Sequence, residues 1–456
     1  MRWSQKPRHP RGLIEARDEV TGLLPYPAFL QLCTDAVSAR LPGHEPAVIL
    51  VDLEGLGEVA DIEGHTSADE VMRTVSSRVV REVGGLAHVA RMSDNQFGVL
   101  FTALTAPAVA LDLAYRLVSA VTAPVVLANT RRVHLSTSCG LVTWESMGVR
   151  ATADDLLRGA GLAVREARRQ GRNSIEVCSA GLIEVADETL AIGKDLRKAL
   201  DEKGLRVCYQ PIVDLAHGSV LGFEALVRWS HPVHGHVSPA RFVPVAEEFG
   251  LISELGRMVL STATAQVAQW SATFRVPLTV HVNVSGVDLM HDGFVTVVEE
   301  VLQSSSLPGE QLVLEVTEVA VEPDPDTARE RILSLHGLGV RVALDDFGTG
   351  RSALAYLQNL PVDILKIDRS YVDSTEGNRA DDLMRGVIGF GKALGMEVYG
   401  EGIEDEEQRV RLQQHGCGIG QGYLFSRPLP TEDAAAYLRS QAAPVTRTSN
   451  VTRMLA

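Results

Sequence analysis

Short apolar runs alternate with longer amphipathic stretches in the second half of the chain, from about Leu205 onward. Eight runs, separated by segments with helical spacing, occupy roughly 240 residues, which is the count and size of a (β/α)8 barrel. The sequence therefore predicts an α/β, TIM-like barrel for this half. The eight runs are VCYQPIV, GFEALVRW, LTVHVNVS, LVLEVTE, VRVALDDF, DILKI, MEVYGE and GIGQGYLF.

The first half, from about Glu19 to Val177, has a different pattern. An apolar strand, AVILVDL, precedes a helical stretch near residues 65–83, and the paired short strands AHVAR and FGVLF follow. A helix near residues 106–121 and a strand VHLSTSCGLV come next. Helices packed on a largely antiparallel sheet are predicted, which is an α+β fold.

These patterns divide the chain of 456 residues into five segments. A short N-terminal arm is basic, the two predicted domains are joined by a segment whose latter part is helical, and a polar tail follows. The expected boundaries are 1–17 for the arm, 18–178 for the α+β domain, 179–192 for the connection, 193–440 for the barrel and 441–456 for the tail.

Composition narrows the class of protein and its partners. With 45% hydrophobic and 22% charged residues, the chain is expected to be a globular protein rather than a disordered or fibrous one. The net charge of −15 repels a nucleic-acid backbone, which excludes polynucleotide substrates. Apolar stretches fall short of the roughly 20 residues that span a bilayer, so no membrane span is expected. Five scattered cysteines support neither disulfides nor a zinc site and indicate a cytoplasmic location.

Polar residues collect at the ends of the apolar runs in the second half. Because the C-terminal ends of barrel strands converge on one face, residues distant in sequence would share a pocket there. Carboxylate and amide oxygens select hard cations such as Mg²⁺ or Mn²⁺ over zinc or copper. The polar residues at these ends are Glu224, Asn283, Glu315, Asp345, Asp346, Lys366, Glu401 and Gln421.

Two adjacent acids before a glycine-rich turn, in VALDDFGTG, favour a two-metal arrangement for phosphodiester chemistry. A single acid after a strand more often caps a helix or pairs with a surface base, but acids at successive strand ends indicate function. Lys366, flanked by apolar residues, is expected to point into the acidic pocket and to stay charged. Arg228 suits a phosphate oxygen, although a position at the barrel mouth with its charge in solvent is the alternative.

Motifs across residues 195–430 identify a family. They are YQPI at Tyr209, EALVRW at Glu224, VNVS at Val282, EVTE at Glu315, DDFGTG at Asp345, LKID at Leu365, GEGIE at Gly400 and GQGYLFSRPLP at Gly420. In these motifs the second half resembles the EAL family of cyclic di-GMP phosphodiesterases along its whole length. The resemblance implies a hydrolase that converts cyclic di-GMP to linear pGpG with two Mg²⁺ or Mn²⁺ ions.

The resemblance also assigns roles to the residues of the predicted pocket. Glu224, Asn283, Glu315, Asp345 and Asp346 would be metal ligands, with Gln421 supporting the metal shell. Lys366 and Glu401 would manage the attacking water, Gln210 and Arg228 would hold substrate, and Glu318 would position the loop that carries DDFGTG. Two departures from the family pattern are Gly400 in place of alanine and Arg351 in place of a common aromatic residue.

The first half resembles a GGDEF domain, the diguanylate cyclase module, through TGLLPYPAF, the strand with Asp52, GH at Gly64 and QGRN at Gln170. Its signature is replaced by Ser-Asp-Asn-Gln-Phe at residues 93–97, which removes a metal-binding acid. Ala60 occupies the position at which the family has an asparagine that recognises guanine. GGLA at 84–87 replaces the family's Arg-x-x-Asp inhibitory site. This degenerate domain is expected to lack cyclase activity and to have a regulatory or dimerising role.

Two alternatives stay open beside hydrolysis. A non-catalytic receptor would bind cyclic di-GMP and close the loop bearing Asp345 without cutting the ligand. Because Asp52 is retained, GTP is a candidate ligand of the degenerate domain, where it would regulate the barrel. The family likeness also implies a homodimer, whereas the sequence itself shows no coiled-coil pattern.

Overall fold

The computed structural model describes residues 17–148, 151–347, 360–373 and 377–442. The chain divides into two compact units, Met1–Leu190 and Ala191–Ala456. Within the described residues, no helix has both the length and the apolar character to cross a bilayer. Most of the basic arm, all but the first residues of the polar tail, the glycine-rich turn of DDFGTG and Arg351 lie outside the described residues.

The first unit is an α+β fold, as predicted. Its six-stranded sheet has the order β1-β3-β4-β2-β7-β8, in which β3, β4, β2 and β7 are antiparallel and the two edge strands are parallel to their neighbours. The strands are β1 Leu24–Pro25, β2 Glu45–Glu54, β3 His88–Ser93, β4 Gln96–Leu104, β5 Val125–Val126, β6 Arg132–Val133, β7 Ser136–Thr143 and β8 Ile175–Val177. The helices are Tyr26–Ala39, Leu56–Glu63, His65–Val83, Pro107–Thr122, Trp144–Met147 and Ala153–Gln170.

The central strand β2 explains why the sheet is covered on both faces. Its residues from Pro46 to Leu53 are all buried, so the run AVILVDL packs against helices on either side instead of alternating with polar residues. The expected single strand VHLSTSCGLV is wrong at its start. Val133 pairs with Val125 in the separate β5–β6 ladder, and the main-sheet strand begins at Ser136.

A helix, Ala180–Asp201, runs through the segment in which the two units meet in sequence. The sequence predicted that only the latter part of the connection at residues 179–192 is helical, but the helix begins at Ala180. Leu182 and Ile183 pack against a core of the first unit, and Ile192 and Leu196 belong to a core of the second. These apolar anchors explain why the segment is helical almost throughout.

The second unit is a closed barrel of eight strands, which confirms the predicted TIM-like fold. The closed order is β9-β10-β12-β13-β14-β15-β16-β17, and β17 pairs back to β9. In this closed order the strands from β10 to β17 are parallel to one another, whereas β9 is antiparallel to both neighbours. The short β11 lies outside the closed order and pairs antiparallel with β10. The strands are β9 Leu205–Asp214, β10 Val220–His231, β11 Gly235–Val237, β12 Thr279–Asn283, β13 Leu312–Thr317, β14 Arg341–Phe347, β15 Ile364–Ile367, β16 Glu397–Gly400 and β17 Ile419–Gly420.

The helices of this unit surround the barrel, and side chains fill its interior in layers. An apolar layer inside the barrel contains Ile212, Val313, Ala343, Ile364 and Tyr399. The next inward-pointing residues toward the strand ends are polar, because inward positions recur every second residue. The described helices are Pro239–Glu248, Ile252–Phe274, Gly286–Met290, Phe294–Ser305, Glu318–Val321, Pro325–Gly337, Arg369–Asp373, Gly377–Ala393, Glu406–Gln414 and Thr431–Ala442, with a 3₁₀ turn at Gly309–Gln311.

Candidate active site

Every strand of the closed barrel places a predicted site residue on it or directly after it. Pairing registers show how neighbouring strands align these residues: Asn283 is opposite Glu315, and Gln210 is opposite Glu224. The set that the structure gathers comprises Gln210 on β9, Glu224 on β10, Asn283 on β12, Glu315 on β13, Asp345 and Asp346 on β14, Lys366 on β15, Glu401 after β16 and Gln421 after β17.

Lys366 lies at the centre of the acidic cluster. Its Nζ is 2.7 Å from Oε1 of Glu401, 2.8 Å from Oε2 of Glu315 and 3.3 Å from Oδ2 of Asp345. The lysine side chain is 1% exposed, so the apolar neighbours in ILKI bring its ammonium into the barrel. Burial alone would lower the pKa of Lys366, but the surrounding carboxylates raise it well above its usual range. The ammonium therefore stays charged and holds the three acids together.

Glu224 is held by two side-chain amides. Asn283 Nδ2 donates to Oε1 at 2.9 Å, and Gln421 Nε2 donates to Oε2 at 2.6 Å. The same Gln421 nitrogen lies 3.0 Å from Oε1 of Glu401. Although burial raises the pKa of Glu224, the Lys366 charge and these hydrogen bonds bring it below its usual value. Glu224 is therefore a fixed, ionised carboxylate at the strand ends.

A backbone irregularity brings Asp345 and Asp346 to the same pocket. Adjacent strand residues normally point to opposite faces, but the β14–β15 pairing shifts register between Leu344 and Phe347. Asp346 has a left-handed φ of 55°, and its N–H donates to Oδ1 of Asp345 at 3.0 Å. A bulge of this kind re-aims a side chain at the rim of a barrel. Both carboxylates consequently face the pocket.

The donor set fits hard divalent cations. Carboxylate oxygens of Asp345, Asp346 and Glu401 all lie within 4.8 Å of one another. The Oε1 atom of Gln421 is buried and has no hydrogen-bond donor in the described part of the chain. A buried acceptor without a donor is unfavourable, and a cation would satisfy it. All these donors are oxygen atoms, the ligands that Mg²⁺ and Mn²⁺ prefer.

Burial, opposed by the charge of Lys366, raises the pKa of Glu315 well above its usual value, and two further acids of the pocket also have raised pKa values. Burial, opposed by Lys366 and reinforced by Asp345 and Glu224, raises the pKa of Glu401 to about 8. Burial, together with Asp345 and Asp368, raises the pKa of Asp346. Both shifts reflect carboxylates that crowd one pocket, and a bound cation would oppose that repulsion.

One of the two expected substrate residues, Arg228, borders a cleft of about 520 Å³ that also includes Glu224 and Asn283. Arg228 lines this cleft, and its Nη1 donates to the carbonyl of Val227 at 2.9 Å. Gln210 is buried and donates to the carbonyl of Ser426 at 3.3 Å. These two side chains therefore flank the acidic cluster rather than join its ion pairs.

Glu318 and Gly400, which the sequence singled out, lie outside the ion pairs around Lys366. Glu318 is the first residue of the short helix after β13 and is 2% exposed. Burial is the main cause that raises the pKa of Tyr371, and the negative charge of Glu318 raises it further. The loop that Glu318 was expected to position lies outside the described residues. A Cβ on Gly400 would come within 2.7 Å of Cδ1 of Leu412, so in this chain the leucine fills the space of the missing methyl group.

Two residues of the site, His281 and Asp368, were not predicted from the sequence. His281 is fully buried, and its Nδ1 is 2.9 Å from Oε1 of Glu315. Burial, with the charges of Lys366 and Arg341, holds the pKa of His281 well below its usual value, so the imidazole is neutral. Asp368 ends the LKID motif and contributes to the raised pKa of Asp346. The signal for His281 was its spacing, two residues before Asn283 on the same inward face.

In the first unit, the degenerate signature forms the turn between β3 and β4. Asn95 Nδ2 donates to the carbonyl of Leu53 at 3.0 Å, and Gln96 Nε2 donates to Oδ1 of Asp52 at 3.4 Å. Asp52 is 4% exposed and forms an ion pair with Arg168, whose Nε also lies 3.7 Å from Oε1 of Glu54. The guanidinium of Arg168 therefore compensates the negative charges of Asp52 and Glu54.

Comparisons with protein families match both units. The EAL domain model matches residues 194–428, which is just over half of the chain, and the model described as "Diguanylate cyclase, GGDEF domain" matches residues 15–174.

Curated relatives from Pseudomonas aeruginosa align with both units. The bifunctional diguanylate cyclase/cyclic di-GMP phosphodiesterase MucR is 34% identical over 86% of this chain and 56% of its own length. The cyclic di-GMP phosphodiesterase NbdA is 35% identical over 95% of this chain and 55% of its own length. The chain thus spans about half the length of these relatives.

A solved structure gives the same result for the barrel. The phosphodiesterase of PaMucR in complex with c-di-GMP has a TM-score of 0.52 and 37% identity, and the match covers 54% of this chain and 99% of that one. The EAL enzyme Bd1971 bound to cAMP and cyclic di-GMP has a TM-score of 0.55 at 27% identity, covering 68% of this chain and 82% of that one.

Proposed function

The chain belongs to the EAL domain family, with a GGDEF domain ahead of the barrel, and from this premise we propose that it hydrolyses cyclic di-GMP to linear pGpG with two divalent cations. The observation that carries the proposal is the intact cluster around Lys366, in which Glu315, Asp345 and Glu401 contact one buried ammonium. Relatives named as cyclic di-GMP phosphodiesterases support it.

The oxygen donors of the pocket would hold the cations. Asp345 and Asp346 supply two adjacent carboxylates, and Glu224, Asn283 and Glu315 would complete the set, with Gln421 beside them. Bound Mg²⁺ or Mn²⁺ would polarise the scissile phosphate and lower the pKa of the attacking water. Five carboxylates against one ammonium repel an anionic substrate, so cation binding is expected to precede substrate binding.

The chain's own residues then orient the reactants and move the proton. Arg228 lines the cleft and would donate a fork of N–H groups to a phosphate oxygen, and Gln210, which is opposite Glu224 on the neighbouring strand, would also hold the substrate. Glu401 is the proposed proton acceptor for the attacking water, and Lys366 holds Glu401 at 2.7 Å. Glu318 is proposed to position the loop after β14.

For the first unit we propose a regulatory or structural role without cyclase activity. Amides at Asn95 and Gln96 replace acids of the signature, and Asp52 is paired with Arg168. A homodimer, which the family likeness implies, is a further proposal that light scattering of the purified chain would test.

The direct test incubates the purified chain with cyclic di-GMP and Mn²⁺ or Mg²⁺ and measures pGpG by chromatography. Glu224→Ala is expected to abolish turnover, whereas Glu322→Ala, which removes an exposed carboxylate, should match the unsubstituted chain. Excess EDTA should stop turnover, and added Mn²⁺ should restore it. Hydrolysis that persists in EDTA would contradict the mechanism, and tight binding without pGpG would identify a receptor instead.

A further inference from the structure

His281 lies inside the barrel against Glu315, although no motif of the sequence singles it out. The imidazole is fully buried, and its Nδ1 is 2.9 Å from Oε1 of Glu315. Its Nε2 atom has no hydrogen-bond partner within the described residues. Burying an imidazole with one nitrogen unpaired is unfavourable, so an apolar side chain would serve packing better. The contact with Glu315 is the feature that accounts for a histidine here.

The two oxygens of Glu315 have different partners. Oε2 contacts Lys366 Nζ at 2.8 Å, but that ammonium is shared with Glu401 at 2.7 Å and Asp345 at 3.3 Å. A shared point charge has no preferred direction and does not fix the plane of one carboxylate. The hydrogen bond between His281 Nδ1 and the other oxygen supplies a second anchor, and two anchors fix rotation about the last bond of the side chain.

The strand register makes this contact possible. Asn283 pairs with Glu315, and His281 pairs with Val313, so His281 lies one inward layer below the carboxylate on the neighbouring strand. From there the imidazole contacts Glu315 from inside the barrel. It does not cover the side of the carboxylate that faces the strand ends. The ring of Tyr399, with its centroid 5.7 Å away, packs beside the imidazole.

We propose that His281 is a positioning residue for the cation site, where its Nδ1–H donates to Glu315 Oε1 and orients the carboxylate for metal binding. This inference rests on the proposed function of the pocket and adds a residue to it. Groups that hydrogen-bond to metal ligands fix the orientation of those ligands, and their loss typically lowers metal affinity or activity about 10–100-fold.

Two substitutions of similar polarity separate positioning from packing. In His281→Asn, the amide nitrogen can occupy nearly the place of Nδ1, whereas in His281→Gln it reaches the place of Nε2, which does not contact Glu315. Mn²⁺ affinity of the full chain, measured without substrate by electron paramagnetic resonance, is expected to fall about 10–100-fold in His281→Gln and to stay close to the original value in His281→Asn. kcat for cyclic di-GMP should follow the same order.

Tyr399→Phe is the matched control, because it retains the ring beside His281 and removes a hydroxyl that contacts Glu397 at 3.3 Å. It should bind Mn²⁺ normally. Unchanged Mn²⁺ affinity in His281→Gln would overturn this inference but not the proposed function. Equal losses of Mn²⁺ affinity in the Asn and Gln variants, with equal drops in their melting temperatures in EDTA, would do the same. A wild-type chain that binds no Mn²⁺ would overturn the proposed function and the inference with it.

Discussion

The ammonium of Lys366 lies 2.7 Å from Oε1 of Glu401, and the two side chains are 1% and 15% exposed. Lys366 comes from β15 and Glu401 follows β16, so the closed sheet fixes their distance. The same lysine contacts Glu315 and Asp345 on the two preceding strands. One side chain thus links the C-terminal ends of four neighbouring strands, which makes it both a structural and a chemical centre of the pocket.

Lys366→Met is expected to destabilise the metal-free protein and to reduce hydrolysis. Removing one partner of a buried ion pair leaves uncompensated charge and costs about 3–5 kcal/mol, here from the carboxylates of Glu315, Asp345 and Glu401. Mn²⁺ should recover more stability in the variant than in the unsubstituted chain, because the ion replaces the lost positive charge. Turnover should fall roughly 100-fold or more. Urea unfolding with EDTA or Mn²⁺, and pGpG formation, measure these effects.

Lys392→Met provides the control, since Lys392 is exposed on the helix Gly377–Ala393. It should leave both stability and turnover near their original values. If Lys366→Met unfolds at the same urea concentration as Lys392→Met in EDTA, the ammonium does not hold the acids together.

The first unit is expected to make no cyclic di-GMP from GTP and Mg²⁺. Arg168 pairs with Asp52 and lies 3.7 Å from Glu54, and Gln96 donates to Asp52, so the acids are already compensated by the chain itself. The assay should use the Glu224→Ala variant, in which the barrel is expected not to hydrolyse any cyclic di-GMP that forms. Accumulation of cyclic di-GMP there would refute the assignment. A change in barrel activity on adding GTP to the unsubstituted chain would instead support a regulatory ligand.

The parallel part of the barrel was predictable because each of its strands is a continuous apolar run with a polar residue at its end. Glu224, Glu315 and Lys366 could be placed in one pocket from that rule alone. The antiparallel direction of β9 was not predictable, since an apolar run such as VCYQPIV carries no sign of its direction.

The finer geometry of the site depends on features that sequence patterns do not specify. Asp345 and Asp346 would point to opposite faces of a regular strand, and the bulge with the positive φ at Asp346 brings them together. His281 was missed because its spacing from Asn283 indicates which face it occupies but not its contact with Glu315, which depends on the pairing of β12 with β13.

In the first unit, the helix Ala153–Gln170 begins with a capping box that gives a pH-dependent prediction. Thr152 Oγ1 accepts from Asp155 N at 3.2 Å, and Asp155 Oδ2 accepts from Thr152 N at 2.8 Å. The hydrogen bonds from the Thr152 backbone and side chain lower the pKa of Asp155 below 3.8. An acid with a lowered folded-state pKa stabilises above its unfolded value, and that contribution disappears as pH falls through the folded value.

Thr152→Ala should weaken this helix by about 1 kcal/mol, which accelerates amide exchange about fivefold where the helix opens locally. Asp155→Asn should exchange faster than the unsubstituted chain at pH 7, and the difference should shrink as the pH falls below 3.8 toward the lower folded-state pKa of Asp155, where the native carboxyl also becomes neutral. Hydrogen–deuterium exchange of peptides from residues 153–170 measures both effects, with residues 65–83 as the internal reference. A difference that persists unchanged at pH 3 would show that the charge of Asp155 does not stabilise the cap.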